Sequence, residues 1–558
     1  MKRIILIIAT WGALLLGSCS DFLDIKSNDV ITADALSAEN LEALTSPLYN
    51  YVWFSFNNNF NSAIGDGMSY NLEHNSDYIG AFTHLTFTGQ TSNLLAAWGS
   101  FYNVVQLANK VIITVNSVDA DETLKTQCMA EARFMRGLAY WYLASLWGDV
   151  IISDDPTPLV SNPIVNTNPK RDVWEFALRD MEYAAKYLGE TSTATGRVNR
   201  YSAFGMLSRM YLDYSGFKAS NFGDNPNVGT RDTEYLELAR KAAEKVIDSG
   251  VYDLMGNYDD LFRIEHNNNV ESLFAFQWVP GLSDSGDGYG VTNFTVSYMA
   301  CHAVLSGGNA WGGWTTATYD MIKEYEAGDV VRRKATWMGN GDYYPELNSA
   351  EGGFTFGAGD GEYNSGHSPV NSCLNVRKGV TGNQKDNAAI NVNNSGLMNS
   401  VLRYAEVLLN YSDAVLGNNA STTDARALEY FNAVRTRAKM TPKESIGWED
   451  LRHERRVEFC LEGRYWFDLV ARAYYKQQEV INLINAQDRG TLPAFLFDAP
   501  NDLRIDPDRE SATRAVGTAS AGTFKLPYPE SELIQNPKLG DAPVAYTFTE
   551  ERITDLFN

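Results

Sequence analysis

A mainly α-helical chain of stacked helix pairs is predicted by three observations. Apolar residues recur at three- and four-residue steps in long blocks along the 558 residues. Gly and Asn clusters punctuate those blocks. Within them, small residues face large ones one turn on, as in Ala139 with Tyr142, and Ala203 with Leu207 and Tyr211. Small-against-large pairing lets neighbouring helices approach closely. This is the logic of tetratricopeptide-type hairpins, although the full signature of that repeat is not matched.

The elements follow in order. Residues 1–18 carry Lys2 and Arg3 ahead of an apolar run, Ile4 to Leu16, that is too short to span a bilayer. This is a secretory signal. It closes on Leu16-Gly17-Ser18-Cys19, which resembles a bacterial lipobox. Cleavage there leaves Cys19 as a lipidated first residue, and two or three acyl chains anchor more firmly than one. Helical periodicity then occupies 94–115, 121–147, 171–188, 200–214, 234–249, 400–417, 424–438 and 448–474, with Gly216 and Gly250 read as helix ends. Strands are expected at 272–278 and 524–527. Two stretches break the pattern, 54–92 and 279–395. Both are rich in Asn, Gly and aromatics, with only a short helical piece at 318–326. Loops of that length usually carry function. Residues 19–558 are read as a single domain, with both loop regions inserted in its helical scaffold.

Composition narrows the function classes. Lys plus Arg total 46 and Asp plus Glu 69, a net charge of −23 that repels phosphate backbones. Nucleic acid is therefore not an expected partner. After Cys19, the cysteines at 128, 301, 373 and 460 are spaced too irregularly for a disulfide framework or a zinc site, and Cys128 and Cys460 are read as buried thiols. The six histidines include no HExxH pair, and neither a Gly-x-Ser-x-Gly elbow nor a P-loop occurs. The run from Asp284 to Gly290 is acidic and glycine-rich but lacks the spaced ligands and terminal Glu of a calcium loop, so it is read as a turn and no cofactor is expected. Glu454, Glu458 and Glu462 recur every four residues beside Arg455, Arg456 and Arg464. They share one helix face, whereas a glycosidase needs carboxyls on both sides of a substrate bond. Helix-packing ion pairs are the expected role, and no enzyme activity is expected.

Eight segments, in order along nearly the whole mature chain, resemble the SusD/RagB family of Bacteroidetes outer-membrane lipoproteins. They are CSDFLDIKS at 19–27, EARFMRGLAYWYLASLWGDVII at 131–152, RVNRYSAFGMLSRMYLDY at 197–214, NVESLFAFQW at 269–278, VLRYAEVLLNYSDAV at 401–415, ALEYFNAVRTRAKM at 427–440, ERRVEFCLEGRYWFDLVA at 454–471 and FKLPYPESELIQNPKL at 524–539. The last has Pro-Tyr-Pro where the family usually has Pro-Ile-Pro. The resemblance implies a SusD-like all-α fold. It implies a surface-exposed, outer-membrane lipoprotein that captures oligo- or polysaccharide and acts as the lid of a SusC-like TonB-dependent transporter. The alternatives are the same architecture capturing peptides or another nutrient, or a surface glycoside hydrolase.

The candidate ligand residues lie in the two loop regions. Trp311 is flanked by Gly307, Gly308, Gly312 and Gly313, which allow an indole face to be presented. The family generally places a stacking aromatic in this part of the chain. Trp314 is either a second stacking ring or a packing anchor. Tyr289 sits in the neighbouring glycine-rich loop. Tyr70, Asn75 and Tyr78 are the expected rim partners from the N-terminal region, since an amide offers sugar hydroxyls both donor and acceptor. Trp98 and Tyr102, inside a helix, are assigned to the core, and the Trp147-Gly148-Asp149 corner is read as a helix stop with an aromatic plug.

Overall fold

The computed structural model describes residues 41–74, 77–282, 290–295, 299–305, 315–357, 374–391, 394–490, 495–497, 503–505 and 515–557. Among these residues, nine helices exceed ten residues. They are α1 (Ser92–Ser117), α2 (Glu122–Leu146), α3 (Lys170–Tyr187), α4 (Arg200–Ala219), α5 (Thr233–Ile247), α6 (Tyr404–Leu416), α7 (Ala425–Arg437), α8 (Trp448–Glu458) and α9 (Tyr465–Asn485). Each of α1 to α6 packs on the next, and α9 crosses α4. The predicted stacked-pair scaffold is thus the observed one. Its starts are set locally: the Asp121 carboxylate accepts from Thr123 and Leu124 N–H, and Asn199 and Ser202 form a reciprocal capping box. Close approach is visible at Gly137, where an added Cβ would lie 3.0 Å from the Ala177 carbonyl of α3. Cys128 and Cys460 are buried, as expected.

Several expectations need correction. Gly216 does not end its helix; α4 runs on to Ala219, and the glycine makes room for the Tyr475 ring of α9, which would meet a Cβ at 2.6 Å. The 400–417 block begins as a strand, Asn399–Arg403, before α6. The 448–474 block is two helices separated by a turn in which Leu461 and Gly463 have positive φ. Residues 524–527 join no ladder among the described residues; instead the Leu526 N–H is donated to the Leu146 carbonyl at the end of α2.

The largest correction concerns the region read as an N-terminal loop. Residues 51–68 wind as one helical segment, with wide i→i+5 turns over Phe56–Phe60 and Ser62–Met68. Phe56, Phe60, Ile64 and Met68 recur every fourth residue and are all buried. A step of four lies between the α-helical 3.6 and the wider winding, so the apolar side chains stay on one face. The Asn57–Asn59 run and two glycines hid that periodicity. Gly65 is required because a Cβ there would fall 2.1 Å from the Gly463 Cα. Asp66 clamps the same contact, accepting from the Leu461 and Gly463 N–H groups and from Asn71. Burial pushes its carboxyl up to about 6.

Short antiparallel ladders lie within the 279–395 region and at its borders. Strands β1 (Leu72–His74), β2 (Ser272–Phe276), β3 (Thr315–Ala317), β4 (Trp337–Gly339), β5 (Leu374–Val376) and β6 (Asn399–Arg403) pair as β1–β3, β2–β6 and β4–β5. After Gly540 the chain runs as an extended strap over α3 and its neighbours. The Asn168 amide donates to the Val544 carbonyl, Arg179 donates to the Glu550 carbonyl, Arg552 pairs with Glu182, and Phe557 meets Phe204.

Asp213 of α4 accepts from the Trp141 indole N–H at 2.9 Å, and burial pushes its carboxyl up to about 8. A carboxyl raised above its unfolded value costs stability that grows with pH from about 4 to about 8 and is constant above. Asp213→Asn, a mimic of the protonated form, is therefore expected to raise the melting temperature. The gain should be small at pH 5 and larger at pH 8, followed by thermal unfolding across that range. A gain that shrinks as pH rises would show that Arg209 and Arg455 hold this carboxylate ionised.

Candidate functional site

The structure joins the two regions that carry the candidate ligand residues. In the β1–β3 ladder His74 pairs with Thr315, Glu73 with Thr316 and Leu72 with Ala317. The segments bearing Asn75 and Trp314 are therefore attached at the same end of one ladder. The Thr318 hydroxyl donates to the Tyr70 carbonyl, closing the other end. A second junction lies between Val279 and Val291, where the Val279 N–H donates to the Val291 carbonyl at 2.8 Å and fixes both feet of the loop bearing Tyr289.

Buried arginines from the C-terminal helices hold the first junction from below. Arg456 of α8 donates to the Asn71 side-chain oxygen at 2.9 Å and to Asp320 and Glu324. Arg489, just beyond α9, donates to the Thr83 and Met68 carbonyls and stacks over the Tyr70 ring. Burial lowers Arg489 to about 10, only partly offset by its neighbours. For Glu324 burial alone would raise the pKa, but His453, Arg456 and Arg452 hold it far below the usual carboxylate range. Neither arginine was legible as a site support in the sequence, because nothing local in ERRVEF or in residues 487–490 points to β1.

The expected site residues divide as follows. Trp311, Trp314, Tyr289 and Asn75 lie outside the described residues, as does Cys19. Tyr78 falls on the helix Asp77–Thr83, and its side chain lies outside the description. Tyr70 is a correction. It is 2 % exposed at φ 62°, and its hydroxyl donates to the Asp488 carbonyl. It is pinned inside the scaffold rather than exposed as the expected rim contact. Trp98 is buried and the half-buried Tyr102 hydroxyl donates to the Ile151 carbonyl, in keeping with their assignment to the core. Trp147 is the plug expected: it is buried, lies parallel to Phe60, and donates its indole N–H to the Pro527 carbonyl.

The carboxylates with glycosidase-like spacing are all engaged. Glu454 pairs with Arg332 and Arg435, Glu458 with Arg403 and Arg437, and Glu462 with Arg403 and Lys378. All three are buried or nearly so, and Arg437 and Arg403 hold Glu458 down at about 2 against its burial. Glu454 and Glu458, so enclosed, cannot reach a substrate, and both oxygens of Glu462 are held by cations. Among the described residues no cluster of His, Cys, Asp and Glu suits a metal ion, and no helix is long and apolar enough to cross a membrane.

Comparison with known proteins decides the family. The model of the SusD family matches residues 258–544, and that of the starch-binding proteins associating with the outer membrane matches 21–212. A SusD-like protein of Bacteroides ovatus is 38 % identical over 99 % of both chains. The chain belongs to the SusD family. A solved SusD-like fold, crystallised with xylogluco-oligosaccharide, superposes with a TM-score of 0.82 at 37 % identity, covering 92 % of this chain and 100 % of that one. The starch-binding protein SusD of Bacteroides thetaiotaomicron is 26 % identical over 38 % of this chain and 35 % of its own length. The SusD-like fold inferred from the eight motifs is therefore shown.

Within this SusD-family scaffold, Arg456→Ala would leave Asp320 and the Asn71 side chain without their shared cation. Removing one partner of a fully buried ion pair costs about 3–5 kcal/mol, and the cost here is smaller because Asp320 is 28 % exposed and also accepts from Gln487. Urea unfolding should show a loss below that range, and hydrogen exchange should quicken at the amides of β1. Unchanged exchange at 72–74 would show that the ladder holds without this arginine.

Proposed function

We propose that the protein is a cell-surface glycan-binding lipoprotein that captures a xyloglucan-type oligosaccharide and delivers it to a SusC-like TonB-dependent transporter. The observation that carries the ligand class is the 37 % identity, over the full length of that relative, to a structure solved with xylogluco-oligosaccharide. The β1–β3 junction supports the location, because it attaches the segments of Asn75 and Trp314 side by side. Trp311 is the proposed main stacking ring, with Tyr289, Trp314, Asn75 and Tyr78 around it. Cys19 is the proposed lipid attachment point, and the outer-membrane surface the proposed location, in keeping with the family description of outer-membrane association. The helical face is the proposed seat on the transporter, since the protein needs a partner with a pore to move its cargo inward. The enclosed state of Glu454, Glu458 and Glu462 favours binding without hydrolysis.

Calorimetry with xyloglucan oligosaccharides, set against cello-, laminari- and malto-oligosaccharides, tests the ligand. Binding is expected for the xyloglucan fragments, with no new reducing ends released. Trp311→Ala should keep its melting temperature and lose about 2 kcal/mol or more of binding energy, at least tenfold in affinity. A large drop in melting temperature with binding retained would make Trp311 a core residue. Failure of every glycan would turn attention to peptides or another nutrient.

Membrane attachment is tested separately. Cys19→Ala is expected to leave the outer-membrane fraction, and protease added to intact cells should reach the wild-type protein. A variant that stays in the outer-membrane fraction would refute anchoring through Cys19.

A further inference from the structure

A groove of about 350 Å³ opens on the scaffold at a place where neither loop region contributes a residue. Its walls are the loop joining α3 to α4, the pair Val251 and Tyr252 just past α5, the turn at 268–270 and strand β2. A volume of this order suits a small ligand. Three features narrow its class. First, the lining carries no free charge. Only Glu190 and Arg197 of the lining residues are charged, and each is paired with a residue outside the groove, Glu190 with Arg200 and Arg197 with the buried Glu131. On a chain of net charge −23, that absence favours a neutral ligand. Second, apolar and hydroxyl groups share the lining. Val251 is 48 % exposed and Val270 44 %, and the Asp253 N–H donates to the Val270 carbonyl, so the two valines stand on adjoining segments. Half-buried Tyr252 adds a ring, and exposed Thr191 and Thr195 add hydroxyls. Third, the walls are fixed to one another. Gly196 has φ +84°, and a Cβ there would lie 2.6 Å from the Gln277 Cδ, so glycine lets the α3–α4 loop close on that side chain. Gln277 in turn exchanges two hydrogen bonds with the Asn268 amide, at 2.9 and 3.0 Å. The Tyr252 hydroxyl accepts from Asn199, the residue that caps α4.

A sugar ring presents C–H groups on its faces and hydroxyls at its edge. The valines and Tyr252 suit the first, and the threonines suit the second. A sugar acid would find no counter-ion in this lining. Because the walls are set before a ligand arrives, little freedom is lost on binding. We infer that this groove is a second glycan site, specific for a neutral oligosaccharide and separate from the two loop regions. The inference rests on the glycan-binding reading and extends it to residues which that reading leaves out. Two sites on one protein strengthen its hold on a long polymer without any new contact at the first.

The test is hydrogen exchange of the full mature chain with and without a xyloglucan oligosaccharide. Exchange at the amides of 191–196 and 268–270 is expected to slow about twofold when the free ligand reaches the Kd of the groove. An anionic oligogalacturonate should cause no slowing there. Thr195→Trp, which fills the groove from an exposed position, is expected to abolish the effect at 268–270 with the melting temperature unchanged. Val270→Ser, which removes apolar surface without filling the groove, should weaken it. Slowing confined to 70–78 and 279–314 overturns this inference and spares the glycan reading. Slowing at 268–270 that both variants leave intact is relayed from elsewhere and overturns it too. No slowing anywhere with any neutral oligosaccharide overturns both.

Discussion

A buried network of charges around α8 holds this architecture in register. Five carboxylates, Glu271, Asp329, Glu454, Glu458 and Glu462, face five cations, Arg332, Lys378, Arg403, Arg435 and Arg437. The pairs reach from α8 to α7, to the strands β2 and β6, and to the helix Val330–Thr336 inside the long loop region. Replacing such a network by apolar packing often costs nothing, but removing one member leaves a bare charge in a dry interior. Its main effect is therefore alignment. Each cation accepts only one arrangement of α7, α8 and the β2–β6 ladder, and the 279–395 region inherits that arrangement through Arg332 and Lys378.

The same device, repeated at smaller scale, supports the β1–β3 junction, to which the segments of the candidate ligand residues are attached. Arg456 and Arg489 reach from the C-terminal helices to the backbone and side chains around Tyr70 and Asn71, so the β1–β3 junction stands on the scaffold and not on its own short ladder. Three paired residues per strand would be marginal alone. Backbone contact does the rest. Gly65 against Gly463 brings the N-terminal helical segment onto the turn between α8 and α9, and Asp66 seals it. A binding face built from loops gains precision when its supports are rigid elements.

Much of this was legible in sequence. The long helices carry their own three-four periodicity and their own caps, such as Asp121 and the Asn199–Ser202 box, so their existence and order follow from local chemistry. The four-residue spacing of Glu454, Glu458 and Glu462 already argued for ion pairing over catalysis, and the burial of Glu454 and Glu458 and the two cations on Glu462 agree. The eight ordered motifs carried the family.

Tertiary structure alone decided what lies between those blocks. The helical winding of 51–68 was hidden because its asparagines and glycines read as loop. Tyr70 looked like a rim residue because tyrosine suits both a sugar and a core; its burial depends on Arg489 and Asp488, more than four hundred residues away in sequence. Periodicity and capping report forces between residues a turn apart. Contacts between distant segments, such as those that bury Tyr70, are set only when the scaffold closes.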